Sequence, residues 1–165
     1  MDVEIKNHDQ IKQGYLYAVR LLAQSKRSEH ELLRRLKNKG YLPEATAQII
    51  NELKSQGILS DKKLVQDTVD WSIKAKRYGR NRIFFELKKR GIREANIGKA
   101  LEGYSRAEEQ ENARSLATER WIKLEKVEVK KRKKRLYDFL ISRGFDFELA
   151  RRLVEEMEHH NDENI

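Results

Sequence analysis

The chain has no cysteine and a single proline among its 165 residues, and its eight glycines form no glycine-rich tract. Without cysteine there is no disulfide scaffold, no thiolate zinc site and no cysteine nucleophile, so nothing calls for an oxidising compartment and a cytoplasmic location is expected. Long apolar runs are also missing. No stretch suffices to span a bilayer, and residues 1–14 lack the apolar core of a signal peptide, so no membrane role is expected. The four histidines, His8, His30, His159 and His160, have no suitably spaced carboxylate or cysteine partners, and no Gly-rich loop leads into Lys-Ser or Lys-Thr. Metal ligation, a cofactor and nucleotide chemistry are therefore not expected, and the sequence reads as a binding protein rather than an enzyme.

Charge is abundant instead. Lys plus Arg total 36 against 27 Asp plus Glu, a net charge of +9, and charged residues make up 38% of the chain. Ala, Glu, Leu, Lys and Arg together supply about half of all residues, the balance of an all-helical protein.

A repeat is visible in the glycine spacing. Leu36-Lys37-Asn38-Lys39-Gly40-Tyr41, Leu87-Lys88-Lys89-Arg90-Gly91-Ile92 and Leu140-Ile141-Ser142-Arg143-Gly144-Phe145 share Leu, spacers, a basic residue, Gly and a large apolar residue. Apolar pairs precede each Gly (Leu32 and Leu33, Ile83 and Phe84, Leu136 and Tyr137), and others follow it (Ile49 and Ile50, Ala100 and Leu101, Leu153 and Val154). Leu53, Tyr104 and Met157 extend the pattern at steps of three, four and seven, the spacing that lines one face of a helix. Each repeated Gly is then a left-handed helix stop, with Gly57 and Gly103 read as further stops. Ser28-x-x-Glu31 and Ser105-x-x-Glu108 have the form of capping boxes, and Pro43 suits a first helical turn.

Upstream of each pair lies one more amphipathic stretch, carried by Ala18, Leu21 and Leu22, then by Leu64, Thr68, Trp71 and Ala75, then by Ala113, Leu116, Ala117, Trp121 and Leu124. The expected fold is all-α: three tandem three-helix repeats, over 15–57, 58–104 and 105–158, in an elongated, curved array. A polar segment at 1–14 and a polar tail at 159–165 flank them. A unit of some fifty residues buries little alone, so neighbouring repeats should support one another.

Positive charge gathers in two windows. Residues 74–93 hold nine Lys and Arg against one acid, and 120–135 hold nine against two, while the chain from Leu153 onward carries five acids and no Lys or Arg. Basic residues recur at the junction of the first and second helix of each repeat, as Lys26 and Arg27, as Arg77, Arg80 and Arg82, and as Lys130 to Arg135. That recurrence suits tracking of a polyanion or a filament with its own repeat. The expected contact residues are Arg77, Arg80, Arg82, Lys88, Lys89, Arg90, Lys130, Lys131, Arg132, Lys133, Lys134 and Arg135. Among the aromatic residues that interleave with these windows, Phe85 falls at the edge of the core face and is the candidate for an exposed contact; Trp71 and Trp121 are read as core.

Gly79-Arg80-Asn81-Arg82-Ile83-Phe84-Phe85-Glu86-Leu87-Lys88-Lys89-Arg90-Gly91-Ile92 resembles the central motif of the RecX regulatory proteins. Ala18-Val19-Arg20-Leu21-Leu22 followed by Ser28, Glu31-Leu32, Leu36 and Lys39-Gly40-Tyr41 is similar to their first repeat, and Gly57-Ile58-Leu59-Ser60-Asp61 to their junction into the second. The resemblance implies a cytoplasmic modulator of the RecA recombinase, built of three-helix repeats. Such a protein would lodge in the groove of the RecA–DNA filament and restrain ATPase and strand exchange in recombination and repair. A monomer is expected, with the RecA filament as partner and single- or double-stranded DNA as a second. The alternative is a direct DNA-binding regulator of helix-turn-helix type, although 43–56 and 94–102 offer few of the Arg, Asn and Gln side chains that read base edges.

Overall fold

A computed structural model describes the backbone of residues 2–162 and the side chains of residues 8–159. Among the described residues every element is a helix: α1 (Asp2–Gln24), α2 (Glu29–Lys39), α3 (Pro43–Ser55), α4 (Asp61–Lys74), α5 (Arg80–Lys89), α6 (Glu94–Leu101), α7 (Arg106–Lys123), α8 (Val129–Ser142) and α9 (Phe147–Asp162). No described helix is long and apolar enough to cross a membrane. α1 takes in most of the stretch read as a polar amino-terminal segment. α9 continues to Asp162, so the polar tail expected at 159–165 is helical where its backbone is described, and His160 and the residues beyond it lie outside the described side chains.

The chain divides into two compact units, one of Met1–Asp67 with Leu87–Asn96 and one of Thr68–Glu86 with Ile97–Ile165, and α4, α5 and α6 each run from one into the other. In the first unit Ala18 and Leu21 of α1, Leu32 and Leu36 of α2, and Ile49, Ile50 and Leu53 of α3 form one core with Leu59. In the second, Ala113, Leu116, Ala117 and Trp121 of α7 pack with Leu136 and Leu140 of α8 and with Phe145, Leu149, Ala150, Leu153 and Val154 at and in α9.

Helix ends follow local chemistry. Ser28 caps α2 by accepting from the Glu31 amide while the Glu31 carboxylate accepts from the Ser28 amide, a complete capping box, and Pro43 opens α3. The repeated glycines all take left-handed φ, +93° at Gly40, +79° at Gly91 and +89° at Gly144, as does Gly57 at +70°. Gly103 does not; its expected role as a left-handed stop is corrected, since α6 ends at Leu101 and closes through a turn in which the Tyr104 amide donates to the Leu101 carbonyl.

The residue eight before each repeated Gly, Leu32, Ile83 or Leu136, is wholly buried. Its neighbour seven before, Leu33, Phe84 or Tyr137, is only partly covered. On α4 the expected face is corrected by a rotation of one residue. Val65, Val69, Ser72 and Ile73 are buried with Leu64, whereas Trp71 is 54% exposed and Ala75 is exposed. The three-four period was right, but Leu64 belongs to both candidate rows, and the β-branched row won the interior over the row carrying the bulky indole.

Candidate functional site

At Gly91 and Gly144 the repeated turn does more than end a helix: it docks on the start of an earlier one. In the first unit the turn Arg90-Gly91 lies against the amino-terminal end of α2. The Ser28 hydroxyl donates to the Arg90 carbonyl, and the Arg90 guanidinium donates to the Lys26 carbonyl at 2.8 Å and to both carboxylate oxygens of Glu31 at 3.1 and 3.0 Å. Gly91 sits so close to His30 that a Cβ there would overlap the imidazole side chain. Burial alone would raise the Glu31 carboxyl pKa. The hydrogen bonds from Arg90 and the Ser28 amide, with the charges of Arg90 and Arg27, outweigh it and hold the pKa below its ordinary value.

In the second unit the turn Arg143-Gly144 lies in the same register against the start of α5. The Gly79 amide donates to the Arg143 carbonyl at 2.9 Å and the Asn81 amide to the Gly144 carbonyl at 3.2 Å, so two of the orphan amides at a helix start are satisfied by a neighbouring turn. A Cβ on Gly79 would overlap the Gly144 backbone, and one on Gly144 would overlap Arg82. Ser28 and Gly79 both stand twelve residues before their own repeat's Gly, and Glu31 and Arg82 both stand nine before it.

Three of the expected contact residues are built into this second joint and its surroundings. The Arg80 amide donates to Glu109 at 2.8 Å, its guanidinium lies 3.1 Å from the same carboxylate, and it donates to the carbonyls of Leu101 at 3.2 Å and of Tyr104. Arg82 donates to Glu86 at 2.9 Å and to the Ser142 carbonyl at 2.8 Å, with its guanidinium 4.3 Å from the centre of the Tyr78 ring. Arg77 has φ +52°, a left-handed backbone without glycine's freedom that costs on the order of 1–2 kcal/mol. Its guanidinium grips both oxygens of Glu119, at 2.7 and 3.1 Å, and donates to Ser115 at 2.8 Å. The hydrogen bond to Glu119 is the main reason that the Arg77 pKa rises and the Glu119 pKa falls.

Among the other expected contacts, Arg90 belongs to the first joint, Lys88 pairs with Glu94, and Lys89 is exposed. The run at the start of α8 divides by helical phase. Arg132 is buried, donating to the Trp121 carbonyl at 3.1 and 2.6 Å and lying 3.8 Å from the centre of the indole, and burial lowers its pKa. Lys133 pairs with Glu158 at 2.6 Å and Lys134 with Asp138 at 2.8 Å, while Lys130, Lys131 and Arg135 face solvent. These cations crowd the positive end of α8, where Lys and Arg are disfavoured. Glu128 offsets part of this by accepting from the Lys130 and Lys131 amides at 3.0 and 3.3 Å. Phe85 is 60% exposed, as its place at the edge of the core face suggested.

Comparison with known proteins gives this arrangement a family. Residues 15–53 match the first three-helix domain of RecX and residues 107–154 its third three-helix domain. The regulatory protein RecX of Caldanaerobacter subterraneus is 31% identical over 143 residues, covering 86% of this chain and 69% of that protein, and the one from Pelodictyon phaeoclathratiforme is 30% identical over 132 residues, covering 80% and 81%. The chain belongs to the RecX family. The regulatory protein RecX of Bacillus licheniformis aligns with 98% of the chain at 29% identity, and the chain spans about 61% of that relative's length. The crystal structure of RecX from Lactobacillus salivarius shares the fold, with a TM-score of 0.78 at 21% identity over 92% of this chain and 98% of that one.

The sequence reading passed over Glu109 and named Gly79, Tyr104 and Ser142 only as motif or core positions, not as the partners that hold the joint around Arg80 and Arg82. Glycines twelve and fifty-three residues apart from Gly91 carried the available signal: Gly79 fills the slot where the first repeat has Ser28, and it faces Gly144.

Proposed function

We propose that this chain binds the RecA–DNA filament and restrains its ATPase and strand exchange, acting in recombination and DNA repair as a non-catalytic regulator. Membership of the RecX family, whose curated relatives are named regulatory proteins, carries this reading. The exposed cations are its proposed means of contact. Lys89, Lys130, Lys131 and Arg135 lie on the surface and would meet the filament directly, with Lys88, Lys133 and Lys134 exchanging their carboxylates for partner charge. Arg77, Arg80, Arg82, Arg90 and Arg132 would act from beneath, by holding the surface in place. A regulator that prefers one filament state shifts the equilibrium by its differential affinity for that state, so preference for a less active filament is enough to inhibit.

The test is the DNA-dependent ATPase rate of the cognate RecA as the chain is titrated in at fixed salt. Loss of ATPase well below one molecule per RecA protomer is the expected result. An unchanged rate at saturating amounts, with the chain folded, would reject the reading.

A further inference from the structure

The second unit holds a cleft of about 300 Å³ that the proposed filament contacts do not use. It lies where the chain leaves α4, against α7 and the end of α8, and Lys76, Arg120, Lys123 and Arg143 line it together with the Arg77–Glu119 pair. Both oxygens of Glu119, the one carboxylate in the lining, accept from Arg77. Lys76, Arg120 and Arg143 are left without an acid in the cleft, and Lys123 has only the charge of the Glu119 that Arg77 already holds.

Two of these are held close together by an aromatic ring rather than by a carboxylate. The guanidinium carbons of Arg120 and Arg143 lie 5.2 and 5.0 Å from the centre of Phe139. Arg120 Nε is shut off from solvent and has no hydrogen-bond acceptor among the described residues. Confining like charges around one partly buried ring raises the energy of the empty cleft, and an anion there would relieve it.

The neighbouring surface narrows the class of anion. Trp71, on the last turns of α4, is 54% exposed, and Lys76 Nζ stands 4.9 Å from the centre of its ring. A cation in the cleft thus also touches an open indole. An aromatic platform beside a row of cations suits a strand whose phosphates and bases alternate, and an acidic peptide has no use for the indole. A duplex keeps its bases stacked on one another, so only a single strand offers one to Trp71.

We propose that this cleft binds the phosphodiester backbone of single-stranded nucleic acid, with Trp71 as the platform on which an adjacent base stacks. Arg77 is then a positioning residue, its left-handed backbone and its grip on Glu119 fixing the end of α4 to α7. The inference concerns bare nucleic acid and stands or falls apart from the filament reading.

The experiment titrates the full chain with a twenty-nucleotide oligothymidylate and with a duplex of equal length, without RecA, following tryptophan emission and anisotropy of a labelled strand at several salt concentrations. The single strand is expected to quench emission. Trp71→Ala should remove the quenching, because Trp121 lies under Arg132, and weaken binding about tenfold with the salt dependence unchanged. Arg120→Gln combined with Lys123→Ala should weaken binding at least tenfold and flatten the slope of log affinity against log salt by about 0.7 per lost phosphate contact. Arg34→Ala with Lys37→Ala, on the exposed face of α2, serves as the control, and circular dichroism checks the fold of each variant. Equal losses in cleft and control variants, retained quenching in Trp71→Ala, or displacement of the strand by an equal charge of polyglutamate would each overturn the proposal.

Discussion

The two joints share a register and differ in chemistry. At Gly91 the docking turn is held by side chains: a serine hydroxyl, an arginine fork on a glutamate, and an imidazole in the space where a Cβ would stand. At Gly144 it is held by main chain on main chain, two amides meeting two carbonyls, with glycine on both sides of the contact. What recurs is therefore the path of the backbone, and the side chains around it have been free to change. The comparison also explains the arginines. In the first joint the arginine comes from the turn and the acid from the helix start; in the second, the helix start supplies the arginine and the turn supplies carbonyls.

If that distinction is right, substitutions should hurt the second joint more than the first. Gly144→Ala is expected to destabilise by about 2–5 kcal/mol, since a left-handed alanine is combined with a clash against the Arg82 backbone that cannot rotate away. Chemical denaturation would measure it, and a loss no larger than that of Gly91→Ala would undo the comparison. Glu31→Gln should cost about 1–3 kcal/mol by stripping charge from the Arg90 bonds of the first joint. Gly91→Ala is expected at about 1–3 kcal/mol, because the left-handed backbone is penalised and the new methyl meets the His30 Cβ, although the exposed ring beyond it can swing aside. Ser28→Ala, which removes both a cap and the hydroxyl on the Arg90 carbonyl, should cost roughly 1 kcal/mol.

pH should separate the joints as well. The Glu31 pKa is lowered in the folded chain, so its contribution is present above its unfolded value and is lost as pH falls through the folded one. Glu31→Gln should accordingly flatten the acid limb of a stability profile. Beside the second joint, burial pushes the Tyr104 phenol up to about 12, its hydroxyl donating to the Tyr78 carbonyl at 3.1 Å. That contribution is complete below the ordinary phenol value of 10.0 and is lost as pH rises from there through about 12. Ultraviolet titration should find one late-ionising tyrosine that Tyr104→Phe removes.

The helices, their stops and most of the core were legible because they depend on neighbours three and four residues away. Leu32, Ile83 and Leu136 stand at one offset and are all fully buried. Trp71 was misread for the same local reason, since a strip of apolar residues fixes the period of a helix and leaves its rotation undecided when two rows share Leu64. The surplus of positive charge was legible, but its division between surface and scaffold was not. Arg77 finds Glu119 forty-two residues on, and Arg80 finds Glu109 twenty-nine residues on. Arg132, in the middle of a run that reads as a solvated basic stretch, folds back onto Trp121 eleven residues earlier. The pairings of Arg77 and Arg80 exist only once the second and third repeats have come together.

The length of those pairings bears on how the chain folds. Helical bundles usually form quickly because their contacts are close in sequence. Here the Ser28 hydroxyl meets a carbonyl sixty-two residues away, and Arg82 meets one sixty residues away. Three-helix cores such as that of α7, α8 and α9 can collapse early on local contacts, while each joint must wait for two distant segments to find one another. Closure of the Gly turns onto α2 and α5 would thus set the pace of folding, and a substitution at Gly144 would slow the approach to the native state as well as weaken it.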